Sequence, residues 1–134
     1  MKKFRLEHIG FAVSDPKAAA EWYRRVLGFE ILHVAENRDA ANAFVRNENG
    51  TVLEFWRSHD KISTADELSD PLQLHVAFTS ENPNEDVKYL LEAGATLYEL
   101  SAPTTNGDQT VALRDPWGNC IQLAKRAPGS FFHR

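Results

Sequence analysis

The 134 residues, 43% hydrophobic and 25% charged, have the ordinary balance of one globular domain, which excludes a disordered or fibrous class. The formal net charge is −4 and no basic stripe runs along the chain, so nucleic acid is excluded as a partner. No apolar run approaches a membrane span, Arg5, Glu7 and His8 interrupt any signal-peptide core, and the single cysteine, Cys120, rules out an internal disulfide. Cytoplasm is the expected location, and residues 1–134 are expected to form one domain.

In chain order, residues 5–14 alternate and are rich in β-formers, which predicts a first strand. Asp15 is then a helix N-cap with Pro16 at the first helical position. Trp22, Tyr23, Val26 and Leu27 recur at helical spacing, and Gly28 supplies the left-handed residue that ends the helix. Residues 29–35, 42–47 and 51–57 read as three strands, the last two joined across Asn49-Gly50. Module one is therefore placed at 5–57. The polar stretch 58–71 reads as a linker.

Module two, 72–125, repeats the pattern. Strand 72–79 leads to a helix capped by Asn82 and Pro83, with Glu85 placed as a capping-box partner. That helix carries Val87, Leu90 and Leu91 and stops at Gly94. Strands near 96–100, 109–114 and 119–125 follow, the last two joined by Asp115-Pro116-Trp117-Gly118, and 126–134 is a tail. The two copies stand at an offset of about 67 residues: His8 matches His75, Asp15-Pro16 matches Asn82-Pro83, and Leu53-Glu54-Phe55 matches Ile121-Gln122-Leu123. An ordered series of matches is a repeat. The expected fold is α+β: two tandem βαβββ modules forming a cupped, mostly antiparallel sheet with the helices on its outer face.

Strand alternation then sorts side chains by face. Ile9, Phe11 and Val13, Leu53 and Phe55, Leu74, Val76 and Phe78, and Ile121 and Leu123 take the helix side. His8, Glu54, His75 and Gln122 fall on the opposite face, one from each of four strands. A lone His or Gln on a strand is usually only solvated or hydrogen-bonded. Two repeat-related pairs on a common face instead predict one divalent metal ion, because two imidazoles, a carboxylate and an amide oxygen suit zinc, nickel, cobalt, manganese or ferrous iron. His33, His59 and His133 lack such partners and read as surface residues, and Cys120 reads as a small buried hydrophobe.

Leu6-Glu7-His8-Ile9-Gly10, Trp22-Tyr23 with Leu27-Gly28-Phe29, Val52-Leu53-Glu54-Phe55, Leu74-His75-Val76 and Asp115-Pro116-Trp117-Gly118-Asn119-Cys120-Ile121-Gln122-Leu123 together resemble the vicinal oxygen chelate superfamily, which includes glyoxalase I, bleomycin-binding proteins and extradiol dioxygenases. The resemblance spans about residues 5 to 125. It implies paired modules, a homodimer, and metal held by the positions matching His8, Glu54, His75 and Gln122. It also implies a glyoxalase-like lyase or isomerase acting on a small oxygenated molecule, with Glu54 as the catalytic carboxylate. The alternative is a non-catalytic small-molecule or antibiotic-binding protein of the bleomycin-resistance type. Two positions depart from the family pattern: Gln122 stands where the metal-dependent enzymes usually carry Glu, and Ala12 stands where bacterial glyoxalase I carries an arginine. Both departures argue against strict glyoxalase I.

Overall fold

The computed structural model describes residues 1–58, 70–100 and 104–133. The chain divides into two compact units, Met1–Glu67 and Leu68–Arg134. In the first, strand β1 (Ile9–Ala12) is followed by helix α1 (Pro16–Leu27) and strands β2 (Glu30–Glu36), β3 (Ala40–Arg46) and β4 (Val52–Ser58). In the second, β5 (His75–Thr79) is followed by α2 (Pro83–Glu92), β6 (Thr96–Leu100), β7 (Gln109–Arg114) and β8 (Cys120–Lys125). Short 3₁₀ turns at Pro71–Gln73 and Phe131–His133 complete the described elements. The expected α+β fold of two tandem βαβββ modules is therefore present.

Each module forms one four-stranded sheet, ordered β1-β4-β3-β2 and β5-β8-β7-β6. The pairs β1–β4 and β5–β8 are parallel, and the remaining pairs in each sheet are antiparallel. Helix connections make the parallel pairs feasible, since a parallel partner cannot be reached by a hairpin. The first strand is shorter than predicted: of residues 5–14, Ile9–Ala12 pair with Leu53–Trp56, and His8 lies just ahead of the strand. Alternation alone cannot see where a partner strand ends.

The local signals hold where they depend on near neighbours. Asp15 Oδ1 accepts from Ala18 N at 3.0 Å, and Gly28 closes α1 with φ 72°. Asn82 flanks α2 but makes no side-chain cap bond, so the capping box predicted with Glu85 does not form through it. Instead Ser80 Oγ donates to Asp86 Oδ2 at 2.5 Å. The hairpins β3–β4 and β7–β8 turn alike: Gly50 N donates to Asn47 O and Gly118 N to Asp115 O, with both glycines at positive φ. Asn47 Oδ1 accepts from Thr51 N, and Asp115 Oδ1 accepts from Asn119 N, each at 2.9 Å. Of the predicted linker 58–71, Ser58 ends β4, Asp70 caps the 3₁₀ turn through Leu72 N and Pro71 opens that turn, while 59–69 lie outside the described residues.

The face of sheet one that meets α1 is dry. Leu53, Phe55, Ala43 and Val45 are fully buried, and Phe55 packs on Tyr23 with ring centroids 4.7 Å apart. Phe11, Trp22 and Phe29 extend the same cluster. In module two, Leu90, Val111, Leu113, Ile121 and Leu123 form the core. Leu74, predicted on the helix side, is 49% exposed because it precedes β5. No helix among the described residues is long and apolar enough to cross a membrane.

Candidate metal centre and adjoining groove

Parallel pairing sets the first half of the site. Gly10 stands beside Glu54 in the β1–β4 ladder, and His8, two residues earlier, falls on the same face. The His8 Nε2 to Glu54 Oε2 distance is 3.3 Å, with the side chains 32% and 21% exposed. Gly10 shares this face: a Cβ there would rest in ordinary contact, 3.5 Å from Glu54 Oε2 and 3.8 Å from the Trp56 ring. Phe44 meets the His8 ring edge-on at 5.5 Å, and His33, exposed as expected, lies 6.4 Å from Phe44 on the far side. His59 and the His133 side chain fall outside the described residues.

The second half repeats this register. In the β5–β8 ladder, Ala77 stands beside Gln122 and His75 beside Cys120, so His75 relates to Gln122 as His8 relates to Glu54. His75 Nδ1 lies 2.9 Å from Leu72 O. A carbonyl only accepts, so Nδ1 carries a proton and Nε2 is the nitrogen left to bind something else. Metal-binding histidines are commonly held this way, with one ring N–H on a backbone carbonyl. Gln122 is half-buried and Cys120 is buried at 3% exposure. Burial pushes the Cys120 thiol pKa up, opposed by the nearby Arg114 guanidinium, which fits the inert buried role read from the sequence.

The donor atoms suit a shared ion. Two ligand atoms each about 2.1 Å from one metal stand roughly 3.0–3.4 Å apart at right-angle to tetrahedral geometry, and His8 Nε2 and Glu54 Oε2 are 3.3 Å apart. His8 Nδ1 is buried with no hydrogen-bond partner among the described residues, and Glu7 Oε1 at 3.7 Å is out of reach. Among the described residues, no three His, Cys, Asp or Glu side chains cluster as a preformed metal site. The structure thus brings His8 and Glu54 together, and orients His75 and Gln122 on matching rungs of the other sheet.

Next to Glu54, module one carries a groove of about 490 Å³ that the sequence did not signal. Trp56 and Asn42 lie side by side on the Glu54 face, and Ala41, Arg57 and Ser58 close the end of the sheet. Arg57, at the rim of the groove, is paired with Ala41 on the opposite, helix-facing side of the sheet, where its side chain is 22% exposed near Glu36.

Residues 5–123 match the Glyoxalase/Bleomycin resistance protein/Dioxygenase superfamily, and the chain belongs to it. A virulence protein of Salmonella typhimurium is 26% identical over 127 residues, covering 90% of this chain and 83% of that protein. Among solved structures, a mutant of the genomically encoded fosfomycin resistance protein FosX from Listeria monocytogenes, complexed with Mn(II) and a dihydroxypropylphosphonic acid, superposes with TM-score 0.72 at 14% identity. The match covers 99% of this chain and 96% of that one. An antibiotic-binding protein from Streptomyces superposes with TM-score 0.66 at 18% identity, covering 95% of this chain and 99% of that one. At such identities the two structures share the fold with this chain, and one is a metalloprotein while the other binds an antibiotic.

Proposed function

We propose that this chain is a metal-dependent, glyoxalase-like lyase or isomerase acting on a small molecule that carries a carbonyl or carboxylate. The observation that carries this reading is the His8–Glu54 pair, set 3.3 Å apart beside an open groove. His8, Glu54, His75 and Gln122 would hold one divalent ion, among zinc, nickel, cobalt, manganese and iron. The chemistry such an ion supplies is Lewis acidity toward a substrate oxygen. Glu54 is the one carboxylate of the four, so it moves the proton: Oε2 faces His8, leaving Oε1 to accept and return it. Gln122 contributes an amide oxygen and cannot take that proton at neutral pH. Phe44 meets the His8 ring edge-on beside this pair. A cytoplasmic homodimer completes the reading, since a second copy can cover exposed sheet edges.

Elemental analysis of purified protein should find about one divalent ion per chain, and His75→Ala should remove it. Glu54→Gln should lower turnover by about 10²–10⁴-fold, the usual worth of a positioned general base. Gln122→Glu should tighten Mn(II) binding on the order of tenfold, because affinity rises with ligand charge. Protein that stays metal-free after soaking in Zn(II) and Mn(II) would end the metal reading. A second reading, capture of a ligand without chemistry, is favoured by the Trp56-walled groove. A Glu54→Gln protein that binds ligand as tightly as the parent, with no turnover found in either, would favour that reading.

A further inference from the structure

His8 and His75 are repeat mates, yet their rings are held differently. His75 Nδ1 has a partner, the Leu72 carbonyl at 2.9 Å, which the Pro71–Gln73 turn sets three residues ahead of the ring. No such turn precedes His8, because residues 1–8 form neither helix nor strand. His8 Nδ1 is buried with no hydrogen-bond partner among the described residues, while Nε2 faces Glu54 Oε2 at 3.3 Å. The carboxylate on the Nδ1 side belongs to Glu7, whose Oε1 stands 3.7 Å away on a side chain that is 90% exposed. Glu7 and His8 also border a hollow of about 170 Å³ closed by the hairpin residues Asn49–Val52, so the Glu7 side chain has room to move.

We propose that Glu7 is a positioning residue for His8: its carboxylate accepts the Nδ1 hydrogen and so fixes which nitrogen the ring presents beside Glu54. A neutral imidazole carries one N–H, and with the Nε2 lone pair turned toward the ligand side that hydrogen sits on Nδ1. A buried N–H without an acceptor is unfavourable, so the acceptor within reach is drawn to it. An N–H to carboxylate bond spans about 2.8 Å, so Glu7 Oε1 has to close by about 0.9 Å from its 3.7 Å. Rotation about the bonds of an exposed glutamate side chain covers that distance without moving the backbone. Module one then matches module two, where the Leu72 carbonyl holds Nδ1 and leaves Nε2 for a ligand. A carboxylate does more than a carbonyl, because its charge makes the ring a stronger donor to a metal. The inference rests on the reading of His8 as a metal ligand, and it adds the group that aims the ring.

The experiment measures Zn(II) affinity of the full chain by competition with a chromophoric chelator. Long-range proton–nitrogen correlation spectra of the Zn(II)-loaded protein then report the His8 ring. Glu7→Ala should weaken Zn(II) binding by about tenfold or more, the usual cost of losing the partner behind a ligating histidine. Glu7→Gln keeps an acceptor oxygen without the charge and should recover part of that loss. The His8 Nδ1 hydrogen should give a slowly exchanging signal in the parent that is lost to exchange in Glu7→Ala. Unchanged Zn(II) affinity in Glu7→Ala overturns the inference and leaves the metal reading standing. Equal losses in both variants, with the Nδ1 signal kept in each, also overturn it, since Glu7 then acts through its charge alone. A parent that takes up no Zn(II) defeats the metal reading, and the role of Glu7 falls with it.

Discussion

Helix α1 buries Pro16, Ala19, Ala20, Trp22, Tyr23 and Val26, whereas α2 buries Pro83 and Leu90. The sheets differ in the same direction. Phe11 of β1 is buried, while no residue of β5 is. Yet strand order, parallel pair and hairpin turn are the same in both modules. A shared skeleton does not need an equal core. Strand pairing and turn chemistry fix the path of the chain, and side-chain volume decides how firmly each copy holds it. Module one, in which Tyr23 packs on both Phe29 and Phe55, also carries the adjacent His8–Glu54 pair and the groove.

The largest expected effect tests that contrast directly. Phe55→Ala removes a fully buried ring that touches both Phe11 and Tyr23, and should cost about 3–5 kcal/mol. Leu90→Ala should fall toward the lower part of the range of about 2–5 kcal/mol, because α2 offers fewer buried neighbours. Native-state hydrogen exchange reads the two modules separately. Equal loss of protection in both modules from Phe55→Ala would show them opening as one unit and erase the contrast.

A smaller effect concerns what module two has and module one lacks. Asp108, just ahead of β7, is buried, while Asp39, just ahead of β3, is exposed. Asp108 Oδ1 accepts from Ala127 N at 2.8 Å, and Oδ2 accepts from Arg126 Nη1 at 3.1 Å. The Arg126 guanidinium in turn lies 4.1 Å above the Phe132 ring, so one carboxylate anchors the tail. The Ala127 backbone bond above all, with Arg126 adding to it against the cost of burial, holds the Asp108 carboxyl below its ordinary range. A lowered folded-state pKa means that the anchoring is present above about pH 4 and is lost as pH falls through the lowered value. The Ala127 amide resonance should therefore shift with a midpoint below that of free aspartate, and Asp108→Asn should flatten the titration. A midpoint at or above about 3.9, the free-aspartate value, would refute the anchor.

Much of this was legible in the sequence because it is local. Asp15-Pro16, Gly28, Asn49-Gly50 and Asp115 through Asn119 each act within five residues, and a linear reading finds them. The faces of β4 and β8 were legible too, since alternation needs only the strand itself, and so Glu54 and Gln122 were placed opposite Phe55 and Leu123. What escaped depends on pairing at a distance. The groove exists because Asn42 lies across from Trp56 and Ala41 from Arg57, a register that no short window contains. Asp108 and Ala127 are 19 residues apart. Strand one was drawn too long for the same reason, as β4 offers partners only to its middle.

The smallest expected effect isolates the helix starts, where the copies look most alike in sequence. Both begin with a short polar residue followed by proline, and both were read as caps. The structure separates them: Asp15 Oδ1 accepts from Ala18 N at 3.0 Å, while Asn82 makes no side-chain cap bond. In α2 the Asn82 backbone carbonyl takes the bonds from Glu85 N and Asp86 N. An N-cap side chain is worth about 0.5–2 kcal/mol through the one orphan amide it satisfies. Asp15→Ala should therefore lower stability by about 1 kcal/mol. Asn82→Ala removes no such bond and should change stability by less than about 0.5 kcal/mol, the scale of an ordinary surface substitution. Chemical denaturation of the two variants decides the point, with unchanged slopes required so that the difference reflects stability alone. Equal losses would mean that Asn82 caps α2 in solution and that the helix starts do not differ.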